Sequence, residues 1–154
     1  VTELGVSQIW AFPADWSVAK WDGKKLGKKV EKLEKIALGA AEQSKRNLVP
    51  SITLFEKKAD FLAQFDQFDR IVVAYEESAK EGEAAALIQS LTGLEAGSKL
   101  LFIFGPEGGL SPAEIESFTA KGAILAGLGP RILRAETAPL YALSAVSVVT
   151  ELMN

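Results

Sequence analysis

The chain contains no cysteine and no histidine. Without cysteine there are no disulfides and no thiolate sites, and without histidine the usual metal ligand and the usual general base are both missing. Chemistry must therefore run on carboxylates, arginine, lysine, hydroxyls or a bound cofactor, and no metal centre is expected. Long apolar runs are also absent: none reaches the eighteen or so residues of a membrane span, and no basic segment followed by an apolar one opens the chain. A soluble, cytoplasmic protein is the expectation. Nor is there an excess of one charge, since 17 basic against 20 acidic residues leave a net charge of -3. That balance argues against strong nonspecific nucleic-acid binding by the whole surface, although a local patch can still act.

What is present suits a single domain. The 154 residues are 48% apolar, enough to bury a sizeable core, so one domain over residues 1–154 is expected. Strand-like runs fall at residues 9–12, 71–75, 100–104 and 124–128, with a weaker one at 51–54, and helical stretches lie between them. This alternation predicts an α/β fold with a mostly parallel sheet flanked by helices. Residues 1–5 read as the tail of a helix closed by Gly5, as if the chain began part-way through a larger protein.

Two helices stand out. The one predicted over residues 23–44 places Leu26, Val30, Leu33, Ala37 and Ala40 on a narrow apolar stripe. Its other face carries Lys24, Lys25, Lys28, Lys29, Lys32 and Lys35, which with Lys20, Lys45 and Arg46 form either a ridge for RNA phosphates or a solvated face interleaved with Glu31 and Glu34. The helix predicted over residues 137–152 is apolar almost all round, with Leu140, Tyr141, Leu143, Val146, Val148, Val149 and Leu152. It must be threaded into the core or form a subunit interface.

Chemistry points to two loops. In Gly105-Pro106-Glu107-Gly108-Gly109-Leu110-Ser111-Pro112 three glycines occupy five positions between a strand and a helix, where a ligand can lie against backbone. Ser111 fits the N-cap, Pro112 the first helical position and Glu114 the third position of a capping box. The loop lacks the Gly-x-Gly-x-x-Gly pattern and the chain has no Gly-Lys-Ser or Gly-Lys-Thr, so neither a dinucleotide fold nor a triphosphate cradle is indicated. The second segment, residues 128–138, places Arg131, Arg134 and Glu136 just before the apolar helix. They are either a structural pair, Arg134 with Glu136 or with Glu107, or groups that act on an anionic ligand.

These residues, with Glu3-Leu4-Gly5-Val6 and Glu42-Gln43-Ser44-x-Arg46, resemble the RsmE-type ribosomal-RNA uridine-N3 methyltransferases of the SPOUT superfamily. The motifs run in that family's order across nearly the whole chain. The resemblance implies a deep trefoil knot near the C-terminus, which periodicity would never suggest because chains rarely thread their own loops. It also implies a homodimer through the C-terminal helix and knot, S-adenosylmethionine as cofactor and small-subunit ribosomal RNA as partner.

By position, the resemblance assigns the cofactor to three segments. These are the loop Tyr75-Glu76-Glu77, then Phe104, Gly105, Pro106, Glu107, Gly108 and Gly109, and finally Leu128, Gly129, Ile132, Leu133 and Arg134. A sulfonium cofactor needs shape, backbone hydrogen bonds and apolar walls more than cations, which agrees with the missing phosphate loop. Arg134 or Arg131 is expected to stabilise the uridine N3 anion, with Glu136 and Glu107 as proton acceptors. Other readings consistent with the motifs are a transfer-RNA substrate and a knotted RNA-binding or ribosome-assembly module without catalysis. Two departures are Ala135, where a hydroxyl residue is common, and the N-terminal RNA-binding barrel, which this chain lacks.

Overall fold

The computed structural model describes residues 1–17, 23–76 and 85–153. Lys20 and Glu77 lie outside these, as does the side chain of Lys24. The elements follow in order: β1 Gln8–Ala11, α1 Gly23–Gln43, β2 Ser51–Leu54, α2 Lys58–Leu62, a 3-10 turn Phe65–Gln67 and β3 Arg70–Ala74. Then come α3 Ala85–Leu91, β4 Leu100–Ile103, α4 Pro112–Ala120, β5 Ile124–Ala126, α5 Ala138–Ser147 and a π-helical turn Val148–Leu152.

The α/β alternation is present, and every strand pairing is parallel. β3 lies at the centre of a three-stranded sheet between β4 and β5, with Val72 opposite both Phe102 and Ile124. The remaining two strands, β1 and β2, pair separately, Ile9 opposite Ile52. One sheet was the expectation; the five described strands instead divide into three and two. Ile9, Trp10 and Phe12 line a cavity of about 480 Å³ together with Leu100–Phe104 and with Ala142, Leu143 and Val146 of α5. β1 and β4 thus face this cavity rather than pairing with each other.

Pleating sends alternate residues of β3 to opposite faces, and a separate apolar cluster forms on each. Ile71 and Val73 pack with Phe61, Phe65, Ile103, Leu110 and Phe118, and around them Trp10, Phe12 and Phe55 complete an aromatic set. Phe61 stacks flat on Phe12 at 4.4 Å and meets Phe65 and Phe118 edge-on. On the other face Val72 packs with Leu87 and Leu91 of α3, Ala126 and Val149. Full burial of Val72 and Val73 is what a parallel strand covered by helices on both sides requires.

Helix α1 keeps the predicted stripe, with Ala37 and Ala41 buried and Leu26, Val30, Leu33 and Ala40 half-buried. Lys25, Lys28, Lys29, Lys32 and Lys35 are all exposed. The helix ends in a Schellman arrangement: the Arg46 amide donates to the Ala41 carbonyl at 2.8 Å and the Lys45 amide to Glu42 at 3.2 Å. Lys45 takes the left-handed position at φ 58° that glycine usually fills. This turn carries the Arg46 guanidinium to Gly5, so the first two motifs of the resemblance meet in space. Gly5 itself has φ 92° and its amide donates to the Thr2 carbonyl, as a closing glycine would.

Helix α5 differs from its pattern. Only Ala142, and Val149 in the turn beyond, are buried, while Leu140, Val148 and Leu152 are exposed. Tyr141, Ala145, Val146 and Val149 pack against the second cluster, and among the described residues Leu140, Val148 and Leu152 leave part of the apolar surface uncovered.

Candidate active site

All three strands of the larger sheet point the same way, so the segments that follow them leave from the same edge. Crevices at the carboxyl ends of parallel strands are where ligands bind in open α/β sheets. Here they enclose a cavity of about 520 Å³. After β3, Ala74, Tyr75 and Glu76 form one wall. The second wall is Phe104, Gly105, Pro106, Glu107, Gly109, Leu110 and Pro112, after β4. A third runs from Leu128 and Gly129 through Arg131, Ile132, Leu133 and Ala135 to Ala138, after β5. Trp16, from the segment after β1, completes the lining.

The loop after β4 is held at both ends. Gly109 has φ 83°, and its amide donates to the Pro106 carbonyl at 2.8 Å, closing a tight turn over Glu107 and Gly108. Gly105 has no room for a side chain: a Cβ there would stand 2.9 Å from Leu110 Cγ and 3.2 Å from the Leu110 amide nitrogen. Downstream, the predicted capping box of α4 is present. The Glu114 amide donates to Ser111 Oγ at 3.2 Å, and the Ser111 amide donates to Glu114 Oε1 at 2.9 Å.

Glu114 does more than cap. Its side chain is only 1% exposed, and Oε2 accepts from Lys58 Nζ at 2.8 Å and from the Asp15 amide at 3.0 Å. Lys58 also pairs with the Asp15 carboxylate, which accepts from Ser111 Oγ at 2.6 Å. Hydrogen bonds from Lys58 and then Ser111 hold the Asp15 carboxyl below the usual carboxylate range. Burial by itself would lower the Lys58 pKa, but its bonds to Asp15 and Glu114 outweigh that and leave it raised. This network joins the segment after β1 to α2 and to the start of α4. Sequence reading identified Ser111 and Glu114 as a local cap and missed Asp15 and Lys58, whose partners are distant in the chain.

In the third segment, Gly129 has φ 85° and faces the Tyr141 hydroxyl, which a Cβ would meet at 2.9 Å. Leu128 and Leu133 are half-buried, and Ile132 is 84% exposed. Arg131 is exposed and lines the cavity. Arg134 and Glu136 lie outside the lining, strongly exposed, in a loose pair at 3.8 Å. Of the two pairings open from sequence, this is the one present, and an exposed pair at that distance is worth at most about 1 kcal/mol. Gly108 also lies outside the lining and faces the Trp16 backbone, 3.4 Å from the carbonyl oxygen to an ideal Cβ.

Among the nominated residues, Tyr75, Glu76, Phe104, Gly105, Pro106, Glu107, Gly109, Leu128, Gly129, Ile132 and Leu133 therefore share one cavity with Arg131. Trp16, Ala74, Leu110, Pro112, Ala135 and Ala138 join them unannounced. The last five are neighbours in sequence of nominated positions; only Trp16 comes from elsewhere. Its signal was a bulky aromatic following Pro13-Ala14-Asp15, a turn-like stretch after a strand.

The RNA methyltransferase domain profile matches residues 1–147. The chain belongs to this family. It is 52% identical over 153 residues to the ribosomal RNA small subunit methyltransferase E of Bacillus subtilis, covering 99% of this chain and 60% of that protein. A crystal structure of a hypothetical protein superposes with a TM-score of 0.88 at 48% identity, covering 99% of this chain and 59% of that one. The ribosomal RNA small subunit methyltransferase E of Neisseria gonorrhoeae, whose structure holds S-adenosyl methionine, superposes with a TM-score of 0.74 at 26% identity. It is matched over 97% of this chain and 58% of its own. The chain thus spans about three-fifths of the length of these relatives. Among the described residues, no helix is long and apolar enough to cross a membrane, and no group of three acidic side chains is placed to hold a metal.

Proposed function

We propose that the chain is the catalytic domain of a ribosomal RNA small-subunit methyltransferase that uses S-adenosylmethionine to methylate N3 of a uridine. The observation that carries this reading is the single cavity built from the segments after β3, β4 and β5. It has the size of a small-molecule site, and its walls suit the cofactor: glycine backbone, apolar side chains and no phosphate cradle. The Neisseria gonorrhoeae relative, which carries S-adenosyl methionine, supports the choice of ligand.

When bound, the cofactor supplies an electrophilic methyl group on a sulfonium. Phe104, Leu128 and Leu133 would shield that methyl from water, and the backbone of residues 104–109 and 128–133, with Tyr75 and Glu76, would meet the adenosine. Uridine N3 must lose its proton before it is nucleophilic. Arg131, which lines the cavity, would stabilise the resulting anion, with Arg134 the other candidate, exposed and paired with Glu136 outside the lining. The Glu107 carboxylate, also in the lining, or Glu136 would accept the proton. Holding the base in line supplies much of the rate.

The trefoil threading, a homodimer through α5 and a cytoplasmic location belong to the same proposal. Exposed Leu140, Val148 and Leu152 support the dimer by leaving apolar surface for a second copy to cover.

Titration calorimetry with S-adenosylhomocysteine is the direct test, with micromolar binding expected. No heat at millimolar ligand would count decisively against the cavity as a cofactor site. Methyl transfer by the full-length protein to unmodified small subunits, read by nucleoside mass spectrometry, should yield 3-methyluridine; a methylated transfer RNA instead would redirect the substrate assignment.

A further inference from the structure

Trp16 is 52% exposed although it lines the cavity, whereas Trp10 is packed among Phe55, Phe61 and Phe68. A large aromatic ring left half in water on the wall of a cavity presents a flat apolar face that a ligand entering the cavity can cover. The ring is not carried on a loose strand of chain. Its neighbour Asp15 is tied through its amide to buried Glu114 and through its carboxylate to Ser111 and Lys58. The Ser17 amide closes a turn onto Ala14, and Gly108 packs against the Trp16 backbone. Among the described residues, the other cavity walls follow strands of the three-stranded sheet, and Trp16 alone follows a strand of the β1–β2 sheet.

We infer that Trp16 is a stacking platform for a nucleobase of the RNA substrate at the rim of the cavity. The inference rests on the function proposed above and adds a residue for the substrate base. Stacking suits this position because every base offers a flat face, and a ring half open to solvent receives a base arriving from solution. Fixing the backbone in advance removes much of the ordering cost on binding. Ile132, 84% exposed on the same cavity, adds a second apolar surface at the rim.

The test compares the wild-type chain with Trp16→Ala, Trp16→Leu and Trp16→Phe, using a short fluorescein-labelled oligouridylate by anisotropy and S-adenosylhomocysteine by calorimetry. Alanine and leucine should weaken oligouridylate binding about five- to hundredfold, phenylalanine should restore most of it, and any change in S-adenosylhomocysteine affinity should be smaller than the loss of oligouridylate. Leucine keeps an apolar side chain of useful size, so a loss shared by alanine and leucine but not phenylalanine identifies aromatic stacking. Unchanged oligouridylate binding in the alanine variant overturns the inference. So does a loss confined to S-adenosylhomocysteine, which would place the ring over the cofactor's adenine, or a wild-type chain that binds S-adenosylhomocysteine but no oligouridylate. A wild-type chain that binds no S-adenosylhomocysteine defeats the proposed function itself, and the inference with it.

Discussion

Gly105 and Gly108 of the first loop and Gly129 of the second segment are constrained in three different ways, and substitution should separate them. At Gly105 a methyl group would stand 2.9 Å from Leu110 Cγ and 3.2 Å from the Leu110 amide nitrogen, so Leu110 must shift and the turn adjust with it. Gly105→Ala should cost at least about tenfold in S-adenosylhomocysteine affinity by calorimetry, because the wall it distorts is part of the cavity. At Gly108 the same methyl meets Trp16 at ordinary contact distance, so Gly108→Ala should bind nearly as wild type. Gly129→Ala is a stability test: left-handed backbone plus the Tyr141 hydroxyl at 2.9 Å should lower stability by about 1–3 kcal/mol in urea denaturation. The glycine spacing made this loop legible in sequence. It did not show which glycine lines the cavity and which faces Trp16, because that depends on a contact with a residue far away in the chain.

Among the elements, strands were readable because buried parallel strands need unbroken β-branched and aromatic runs, as in Ile71-Val72-Val73. Their ends were less so: β5 stops at Ala126, two residues before the apolar run does, since Leu128 already turns toward the cavity. Helix α2 falls where a helical stretch between strands was expected, but five residues are too few for a periodic stripe to show that it supplies Lys58 to the network and Phe61 to the core. Helix α1 was plain from its stripe, but its stop signal was not, because lysine occupies the glycine position of the Schellman turn. Lys45→Gly should therefore raise stability by about 1 kcal/mol, seen as a higher urea midpoint with unchanged slope. A lower midpoint would show that the Lys45 side chain contributes more than its backbone costs.

For the whole molecule, the Asp15–Lys58–Glu114 network predicts how stability varies with pH. The folded pKa of Asp15 lies below its ordinary 3.8, so its contribution is present above about pH 4 and is lost as pH falls through the lowered value. Lys58 lies above its ordinary 10.5, so its contribution is complete below about pH 10 and disappears only as pH rises through the raised value. Urea midpoints should hold level between those limits with respect to this network, and Lys58→Met should flatten both shoulders. The proposed dimer is open to sedimentation: Leu152→Asp should shift a dimeric chain toward monomer without unfolding it, and a wild-type chain already monomeric at micromolar concentration would end that proposal. Composition and alternation revealed the parallel α/β class. They did not reveal the division of the strands into two sheets, because side-chain alternation marks a strand without saying which neighbour it pairs with.

The cavity draws on Trp16, Tyr75, the segment 104–112 and the segment 128–138, so its lining spans more than a hundred positions of chain. No local piece of the chain possesses it, and each parallel crossover must close before its walls exist. A ligand of this cavity accordingly recognises only the fully assembled chain, and its affinity adds in full to folding stability. A hundredfold excess over Kd should contribute about 2.7 kcal/mol. Thermal shift with S-adenosylhomocysteine would then report at once on occupancy and on whether distant parts of the chain have come together.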